Sequence, residues 1–360
     1  MSPLLLHVFP TLAVGGQQTR FATLANRFGD RYRHVLVSLD GGDGALGLLG
    51  AGVDFRVLKV ARASPPRRLV NIARHLGSVR PDALVTYNWG SIEWAAVNRA
   101  RFGLPHVHLE DGFGADEADR QRAGRVWTRA LVLRRSFVVV PSHGLAALAV
   151  ARWRLPADRV RYIPNGIDAA RFDSPPEDGR YFARDGACVI GSFSPLRPEK
   201  NLARLLRAVA QLPGLRLVLC GDGPDAAALR ALAAELGIAE RVVFTGHVAA
   251  PELVIGAFDV FAMTSDTEQM PYAVLEAMCA ALPVVATDVG DIAAMVDASN
   301  QPFIVPRDEP ARLVEALRML ADDAGLRRQV GAANRRRVME EYTIERMAAA
   351  FGAVLDQALR

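Results

Sequence analysis

The sequence predicts an α/β protein of two domains, each built around a doubly wound parallel sheet. Apolar runs typical of strands alternate with helical segments along the whole chain. The chain has 360 residues, of which 51% are hydrophobic, so it is long enough to bury two full-sized cores. The alternation indicates the sheet type, and the length indicates two domains.

The strand-like runs divide into two groups on either side of a candidate linker. A first domain over 1–170 contains the runs LLLHVFP, RHVLVSL, DFRVLKV, DALVTYN, HVHLED and SFVVVPS. Residues 171–180 are rich in Pro, Asp and Gly, which favours a linker. A second domain over 181–344 contains the runs CVIGSFS, LRLVLCG, RVVFTGH, DVFAMTS and PVVATDV, and the chain from Glu309 onward is helical and Arg-rich.

A glycine pair follows the first predicted strand. Gly15 and Gly16 precede a helix that begins near Gln17. Ligands of open α/β sheets bind beyond the carboxyl ends of the strands, and glycine lets a backbone approach a ligand closely. The pair therefore predicts a phosphate or ligand contact, with an ordinary strand-to-helix turn as the alternative.

The richest segment for function lies between residues 259 and 291. Asp259–Met263 predicts a strand, and Tyr272–Ala281 a helix with Pro271 in its first turn. Glu268 lies in the loop between them, and Glu276 lies within the helix. Amides at a helix N-terminus attract phosphate, and carboxylates accept hydrogen bonds from sugar hydroxyls. The segment suits a nucleotide diphosphate sugar.

Together with this segment, three other stretches resemble the family 4 glycosyltransferases, which are retaining enzymes of the GT-B fold. They are YIPNGIDAARF at 162–172, GSFSPLRPEKNLARLLRAVAQL at 191–212, and the pair VLCGDGPDAAAL and RVVFTGHV further on. Their order over roughly 200 residues makes the resemblance specific, although each string alone is weak. The resemblance implies two Rossmann-like domains facing a central cleft, with the helix at 345–360 packing back on the first domain.

The resemblance also implies a donor site. Lys200 matches the lysine that contacts the donor diphosphate, where its charge favours catalysis. Pro195 stands where relatives often carry an arginine, so Arg197 is the candidate replacement. Glu268 matches a glutamate that reaches donor-sugar hydroxyls, not a covalent nucleophile, and Glu276 matches one that holds the ribose. Backbone amides near the helix start supply the remaining donor contacts: Gln269, Met270, Tyr272 and Ala273.

The first domain departs from the family pattern at one predicted strand end. Relatives frequently carry a histidine followed by glycine there, but this chain has Glu110, Asp111 and Gly112. Asp111 is predicted to orient the donor sugar, to accept the acceptor's proton or to stabilise positive charge at the anomeric carbon. Glu110 and Gly16 are expected on the acceptor side. The alternative is a hydrophilic loop that caps a helix.

Charge differs between the two halves of the chain. Residues 1–172 hold 24 Lys and Arg against 13 Asp and Glu, whereas residues 173–360 hold 19 against 26. A basic first half predicts attraction to anionic membrane surfaces or diphosphate-linked acceptors. Nucleic acid is not expected, because the arginine clusters lack interleaved aromatic residues and any recognition module.

The hydropathy and the cysteines of the chain give expectations about its location and its redox state. We expect a cytoplasmic protein, peripheral at the inner membrane face, because the sequence has no run of eighteen apolar residues and no secretory leader pattern. Cys188, Cys220 and Cys279 lack metal-ligand spacing and are expected to be reduced.

The predicted function is transfer of a sugar from a nucleotide diphosphate sugar to a lipid-linked or envelope polysaccharide acceptor. The resemblance implies that the anomeric configuration is retained and that the reaction needs no metal and no cofactor beyond the nucleotide-sugar co-substrate. It also favours UDP over GDP as the nucleotide of the donor. Two alternatives stay open: a nucleotide-sugar epimerase or phosphorylase on the same fold, and a non-catalytic relative that binds sugar nucleotides.

Overall fold

The structure, a computed structural model, describes residues 2–61, 63–113, 117, 121–174, 182 and 186–360. It divides into two compact units. The first comprises Met1–Gly166 and Ile344–Arg360, and the second comprises Ile167–Thr343. Each unit contains one parallel sheet with helices on its faces, so the predicted fold class is confirmed.

The first unit is built on seven parallel strands in the spatial order β3-β2-β1-β4-β5-β6-β7. The strands are β1 (Leu4–Phe9), β2 (Arg33–Ser38), β3 (Phe55–Val57), β4 (Ala83–Tyr87), β5 (His106–Leu109), β6 (Phe137–Val140) and β7 (Val160–Tyr162). The helices are α1 (Gly16–Phe28), α2 (Pro65–Val79), α3 (Ile92–Val97), α4 (Ala123–Val132), α5 (His143–Ala151) and, from the chain's end, α12 (Ile344–Leu359).

The second unit has six parallel strands in the order β10-β9-β8-β11-β12-β13. They are β8 (Cys188–Phe193), β9 (Leu215–Cys220), β10 (Val242–Gly246), β11 (Val260–Met263), β12 (Val284–Thr287) and β13 (Ile304–Val305). Its helices are α6 (Leu202–Ala210), α7 (Ala226–Glu235), α8 (Tyr272–Cys279), α9 (Ile292–Met295), α10 (Pro310–Asp322) and α11 (Ala324–Glu341).

The strand orders locate a ligand edge in each unit. The chain winds outward from β1 in both directions, and likewise from β8. Loops that leave neighbouring strands therefore diverge between β1 and β4 and between β8 and β11, where open α/β sheets bind ligands. Gly15 and Gly16 follow β1, Lys200 follows β8 and Glu268 follows β11, whereas Asp111 follows β5, the strand beside β4.

The chain passes between the units earlier than the linker predicted at 171–180. Ile167, Ala169 and Phe172 are buried in the second unit's core, because they pack with residues of α8 and its neighbours. Positions 175–180 of that prediction lie outside the described residues. At the other end, Met347, Phe351 and Leu355 of α12 are buried in the first unit's core.

Candidate functional site

In the second unit, a tight turn after β8 presents Lys200. Gly221 has a φ of +145°, and a Cβ at that position would lie 1.9 Å from the carbonyl oxygen of Ser194. Only glycine therefore permits the loop after β9 to pack against the loop after β8. A single 3₁₀ turn, Pro198–Lys200, follows, and the Asn201 side chain caps α6 by accepting from the Arg204 amide.

Lys200 and Glu268 form an ion pair at the ligand edge between β8 and β11. The Nζ of Lys200 lies 2.5 Å from Oε1 of Glu268, and the Ser265 hydroxyl donates to the same oxygen at 2.7 Å. Among the described residues, Oε2 of Glu268 accepts no hydrogen bond. The lysine side chain is 18% exposed and the glutamate side chain 11%. A charged acceptor oxygen and two further ammonium protons thus remain for a ligand.

A polar network ties the loops after β8 and β11 together. The carboxylate of Asp266 accepts from the Asn201 amide and from the Arg204 guanidinium at 2.8 Å. Its backbone amide donates to the Glu199 carbonyl at 2.8 Å. These contacts join the segment that carries Lys200 to the segment that carries Glu268, so the ion pair sits on a fixed frame.

The loop after β12 also supports Glu268. Gly290 has a φ of +60°, and an added Cβ would lie 2.5 Å from the Glu268 carbonyl oxygen. The Asp291 amide donates to the Gln269 carbonyl at 2.8 Å. Any side chain at position 290 would push away the backbone that carries Glu268 and Gln269.

Helix α8 begins one residue after Pro271, as predicted, and no side chain caps its N-terminus. Tyr272 and Ala273 lie in its first turn, directly after Gln269 and Met270. The positive end of the helix dipole therefore lies a few residues after Glu268 along the chain, and it favours an anion, as does the Lys200 ammonium.

Glu276 lies one turn into α8 and is partly buried. Burial raises the pKa of its carboxyl to about 7, an effect that Arg171 opposes and Glu252 reinforces. Arg171 and Glu252 are themselves paired at 2.6 Å. Because Glu276 forms no ion pair with any described residue, a hydroxyl-bearing ligand would be a suitable partner for its carboxylate.

Arg197 is exposed at the start of the 3₁₀ turn. Within the described parts of the chain its guanidinium forms no ion pair, so it is available to an anion beside Lys200.

In the first unit, two side chains from α1 hold Asp111. Gln17 donates to one carboxylate oxygen at 2.7 Å, and the Arg20 guanidinium contacts the other at 2.5 Å. Arg20 is 2% exposed and Asp111 18%. Both oxygens of Asp111 are therefore engaged, and its charge is neutralised by a buried cation.

Asp111 is also connected to two other strand ends, to one through Arg20 and to the other through its own backbone amide. The second guanidinium nitrogen of Arg20 donates to the Asn165 side chain at 3.1 Å, and the Asp111 amide donates to the Asn88 side chain at 2.8 Å. Gly15 and Gly16 are exposed and form the start of α1, with the Gly15 backbone extended. The glycine pair, Asp111 and Asn165 of the PNGID string thus meet at one edge of the sheet.

Glu110 does not lie on an acceptor-facing surface. Its side chain has no exposed area, and Oε2 pairs with Arg129 at 3.1 Å. Successive residues of an extended segment point in opposite directions, so Asp111 faces the edge while Glu110 faces the interior. Arg129 also pairs with Glu117 at 3.2 Å, and a ring on each of Trp89, Phe113 and Trp153 lies within 5.3 Å of its guanidinium.

Sequence reasoning missed the residues that position the predicted ones: Gln17, Arg20, Asn88, Asn165, Ser265, Asp266 and Gly290. The spacing of Gln17 and Arg20, three apart directly after the glycine pair, was an available signal, since such residues share a helix face.

The described residues contain neither a candidate metal-binding cluster nor a membrane-spanning helix. No cluster of three or more His, Cys, Asp or Glu side chains has an arrangement suited to a metal ion. No helix in the described ranges is both long enough and apolar enough to cross a bilayer.

Two family models match the chain. The model for glycosyl transferases group 1 matches residues 176–337, and the model for the glycosyl transferase 4-like domain matches residues 15–166. Together they cover most of both units.

Curated relatives match at moderate identity. The D-inositol 3-phosphate glycosyltransferase of Stackebrandtia nassauensis is 29% identical over 277 residues, covering 70% of this chain and 62% of the relative. A GDP-mannose-dependent alpha-(1-6)-phosphatidylinositol monomannoside mannosyltransferase of Mycobacterium tuberculosis is 31% identical over 225 residues, covering 57% of this chain and 58% of the relative. The matched region thus spans about three fifths of each relative's length.

Solved structures match the whole chain. Anabaena HepE in complex with UDP has a TM-score of 0.84 at 19% identity, covering 99% of this chain and 100% of HepE. A glycosyltransferase from Rickettsia africae has a TM-score of 0.87 at 15% identity, covering 100% of this chain and 99% of that one. Likeness at such low identity concerns the fold.

Proposed function

Because the chain belongs to the family 4-like glycosyltransferases, the glycosyl transferases group 1, we propose that it transfers a sugar from a nucleotide diphosphate sugar to an acceptor. Its two doubly wound units have the GT-B fold. The observation that carries the proposal is the Lys200–Glu268 pair, 2.5 Å apart, between β8 and β11 in the second unit.

The donor diphosphate is assigned to the cationic side of this pair. Lys200 keeps ammonium protons for phosphate oxygens, Arg197 is exposed beside it, and α8 directs its N-terminal amides to the same segment. These groups stabilise the negative charge that builds on the departing diphosphate, and they need no rearrangement to do so. This supports transfer without a metal ion.

The donor sugar is assigned to the anionic side. The Oε2 atom of Glu268 is available to accept a hydrogen bond from a sugar hydroxyl, while Oε1 stays with Lys200 and Ser265. A carboxylate paired in this way is a poor nucleophile. We therefore assign Glu268 to orientation, with retention of anomeric configuration following from attack on the face that the diphosphate leaves.

Glu276 is assigned to the ribose. Its carboxylate lies in α8, one helical turn from the proposed phosphate contacts, and forms no ion pair within the described part of the chain. Two ribose hydroxyls would stabilise its ionised form by hydrogen bonding, which offsets the cost of burying the charge.

We assign Asp111 to orienting the acceptor and not to transferring a proton. A general base must be able to take up a proton, but Arg20 and Gln17 already donate to both oxygens of Asp111. The acceptor proton therefore goes to the departing diphosphate in our proposal. Gly15, Gly16 and Asp111 define the acceptor edge of the first unit.

We propose UDP as the nucleotide of the donor, and we propose a lipid-linked or envelope glycan as the acceptor. The UDP complex of HepE supports this nucleotide, whereas the GDP-mannose named for the mycobacterial relative is the competing donor. The basic first half of the chain supports an anionic, membrane-borne acceptor at the cytoplasmic face.

A donor screen tests this function. Purified protein is mixed with UDP-, GDP- and dTDP-sugars, with and without EDTA, while the melting temperature and nucleotide release are followed. A ligand at 100 times its Kd stabilises the folded state by about 2.7 kcal/mol, so one donor should stand out. We expect EDTA-resistant release from a UDP-sugar, and NMR of the first product should show retained configuration.

Arg207→Ala is the control variant. It changes an exposed cation on α6, near Lys200 in sequence but outside the proposed site, and it should behave like the wild type.

The same screen separates transfer from the alternative functions. Binding without turnover with any acceptor extract would favour the non-catalytic relative, and appearance of an epimerised nucleotide sugar would favour the epimerase.

A further inference from the structure

Exposed apolar side chains concentrate on the first unit. Of the eleven exposed large hydrophobic residues in the described ranges, nine belong to this unit and two, Met319 and Met339, to the second. Two pairs lie on α2 and α4, each of which packs against α3. Leu69 and Val70 of α2 are 45% and 59% exposed, and Trp127 and Leu131 of α4 are 74% and 64% exposed. Trp127 and Leu131 are four residues apart and share one face of α4.

The same two helices carry positive charge without negative charge. Residues 61–80 and 122–135 contain ten arginines and no Asp or Glu. Seven of these arginines are exposed among the described residues, and the five nearest the apolar pairs along the chain are Arg67, Arg68, Arg74, Arg134 and Arg135. Arg134 and Arg135 follow the end of α4. Helices that mix exposed Leu, Val and Trp with arginine alone suit a surface with an apolar interior and anionic headgroups.

A groove joins the two helices. A cavity of about 640 Å³ has Arg68 of α2 and Thr128 of α4 in its lining, together with Trp89 and Trp94. Arg68 pairs with Glu93 of α3 at 2.5 Å across this groove. Helices α2 and α4 therefore flank one opening, and the exposed pairs stand next to its lining residues.

The inner side of α4 is anchored, so its outer residues are presented rigidly. Arg129 is 1% exposed and pairs with both Glu110 and Glu117. Its guanidinium lies 5.0 Å from the ring centres of Trp89 and Trp153. Trp127 and Leu131 lie two residues to either side of this anchor and project into solvent.

We propose that the α2–α4 face, defined by Leu69, Val70, Trp127, Leu131 and the five arginines nearest them along the chain, docks on an anionic phospholipid bilayer. The proposal deepens the function proposed above and rests on it, since it specifies how a membrane-borne acceptor is reached. Trp127 and Leu131 enter the headgroup region, and the arginines contact lipid phosphates. The groove between the helices then opens toward the membrane surface.

Charge complementarity favours a bilayer over a soluble polyanion. An electrostatic partner such as nucleic acid or polyphosphate uses the arginines but does not reward exposed Leu, Val and Trp. A bilayer uses both. The apolar residues and the arginines should therefore contribute separately to binding.

Vesicle sedimentation tests the proposal with the full chain. The probes are vesicles of phosphatidylcholine alone and of phosphatidylcholine with phosphatidylglycerol, each at low and high salt. We expect binding to the anionic vesicles that weakens as salt rises. The double variant Trp127→Ala/Leu131→Ser should lower the partition coefficient about tenfold. The Arg134→Gln/Arg135→Gln variant should also bind more weakly and lose part of the salt dependence.

Matched variants on the second unit serve as the control. Met319→Ser/Met339→Ser removes two apolar side chains that are 47% and 50% exposed, and Arg328→Gln/Arg336→Gln removes two exposed arginines. Both should bind vesicles like the wild type. The proposal is overturned if these variants lose as much binding as the α4 variants, or if the wild type does not sediment with anionic vesicles.

Two further readouts separate failure of this proposal from failure of the proposed function. Trp127, 74% exposed, is the one tryptophan of the chain's four that is exposed, so its fluorescence should shift to shorter wavelength on anionic vesicles. The Trp127→Ala/Leu131→Ser variant should keep wild-type stabilisation by a UDP-sugar, because α4 is remote in sequence from Lys200 and Glu268. Unchanged fluorescence with vesicles would sink the docking face alone. Absent donor stabilisation in the wild type would sink the donor assignment alone.

Discussion

Two carboxylates occupy corresponding edges of the two sheets, yet their surroundings differ. Glu268 follows β11 of the second unit and shares one oxygen with Lys200 and Ser265, which leaves the other oxygen for a ligand. Asp111 follows β5 of the first unit and has both oxygens engaged by Gln17 and Arg20. The cation beside Glu268 is 18% exposed, whereas the cation beside Asp111 is 2% exposed.

This difference indicates two kinds of site. A partly exposed pair with a free oxygen can exchange partners when a ligand arrives. A pair with a buried cation and with both acceptor oxygens engaged cannot exchange partners in this way, and breaking it costs stability. We therefore expect changes at Lys200 and Glu268 to appear in turnover, and changes at Arg20 to appear first in stability.

Arg20→Ala should have the largest effect. Removing one member of a fully buried ion pair costs about 3–5 kcal/mol, and we expect the lower end of that range because Asp111, which loses its countercharge, is 18% exposed. Chemical denaturation should show a lower free energy of unfolding. The double variant Arg20→Ala/Asp111→Ala should recover part of that loss, and a variant as stable as the wild type would contradict the buried-pair interpretation.

Lys200→Ala should lower kcat by about 10²–10³-fold with little change in stability. The ammonium contacts charge that develops on the departing diphosphate, and its own pair with Glu268 is partly exposed. Turnover and melting temperature are measured on the same preparation, with Arg207→Ala as the control. Near-normal turnover would remove Lys200 from the catalytic assignment.

Replacing each carboxylate by its amide compares the two edges directly. Glu268→Gln should lower turnover about 10–100-fold, because a charged acceptor for the sugar hydroxyl is lost. Asp111→Asn should lower kcat about tenfold while donor affinity stays unchanged, since the first unit holds the acceptor edge. Weaker donor binding in Asp111→Asn would contradict this division of labour.

The smallest effect concerns pH. Burial raises the pKa of Glu276 to about 7, so its carboxyl is mostly protonated at pH 6 and ionised at pH 8. If ribose binds the ionised form, a UDP-sugar should bind about tenfold more weakly at pH 6 than at pH 8. Calorimetry measures this, and Glu276→Gln should remove the pH dependence.

The same shift affects folding with the opposite sign. A carboxyl with a raised pKa binds its proton more tightly in the folded state than in the unfolded state. Its contribution to the free energy of unfolding therefore falls as pH rises from about 4.5 to about 7. Denaturation of wild type and Glu276→Gln across this range checks the sign.

Much of the second unit could be predicted because its signals are local. Lys200, Glu268 and Glu276 lie in short strings that each contain a strand end and a helix start. Strands β7 and β13 have only three and two residues and were not predicted, whereas the equally short β3 lies in the longer apolar run DFRVLKV and was.

The first unit's polar centre could not be read in this way. Arg20 meets Asp111 and Asn165, which are 91 and 145 residues away along the chain. Only the fold brings these segments together, and a single arginine on an amphipathic helix resembles many surface arginines. For Glu110 the prediction of an acceptor-side position was wrong although the sequence held the signal. Side chains alternate in direction along a strand, so a neighbour of an outward-facing Asp111 is expected to point inward.

The second unit is inserted within the first, since Ile167–Thr343 interrupts a unit that resumes at Ile344. Ile167 and Thr343 form a β-bridge, so the insert begins and ends at neighbouring points. During synthesis the first unit lacks α12 until the ribosome has passed Ile344–Leu359, which leaves the core around Phe351 open while the insert can already fold. A gene encoding 167–343 alone should therefore yield a folded fragment, whereas a fragment ending at 166 should aggregate unless the α12 segment is fused back.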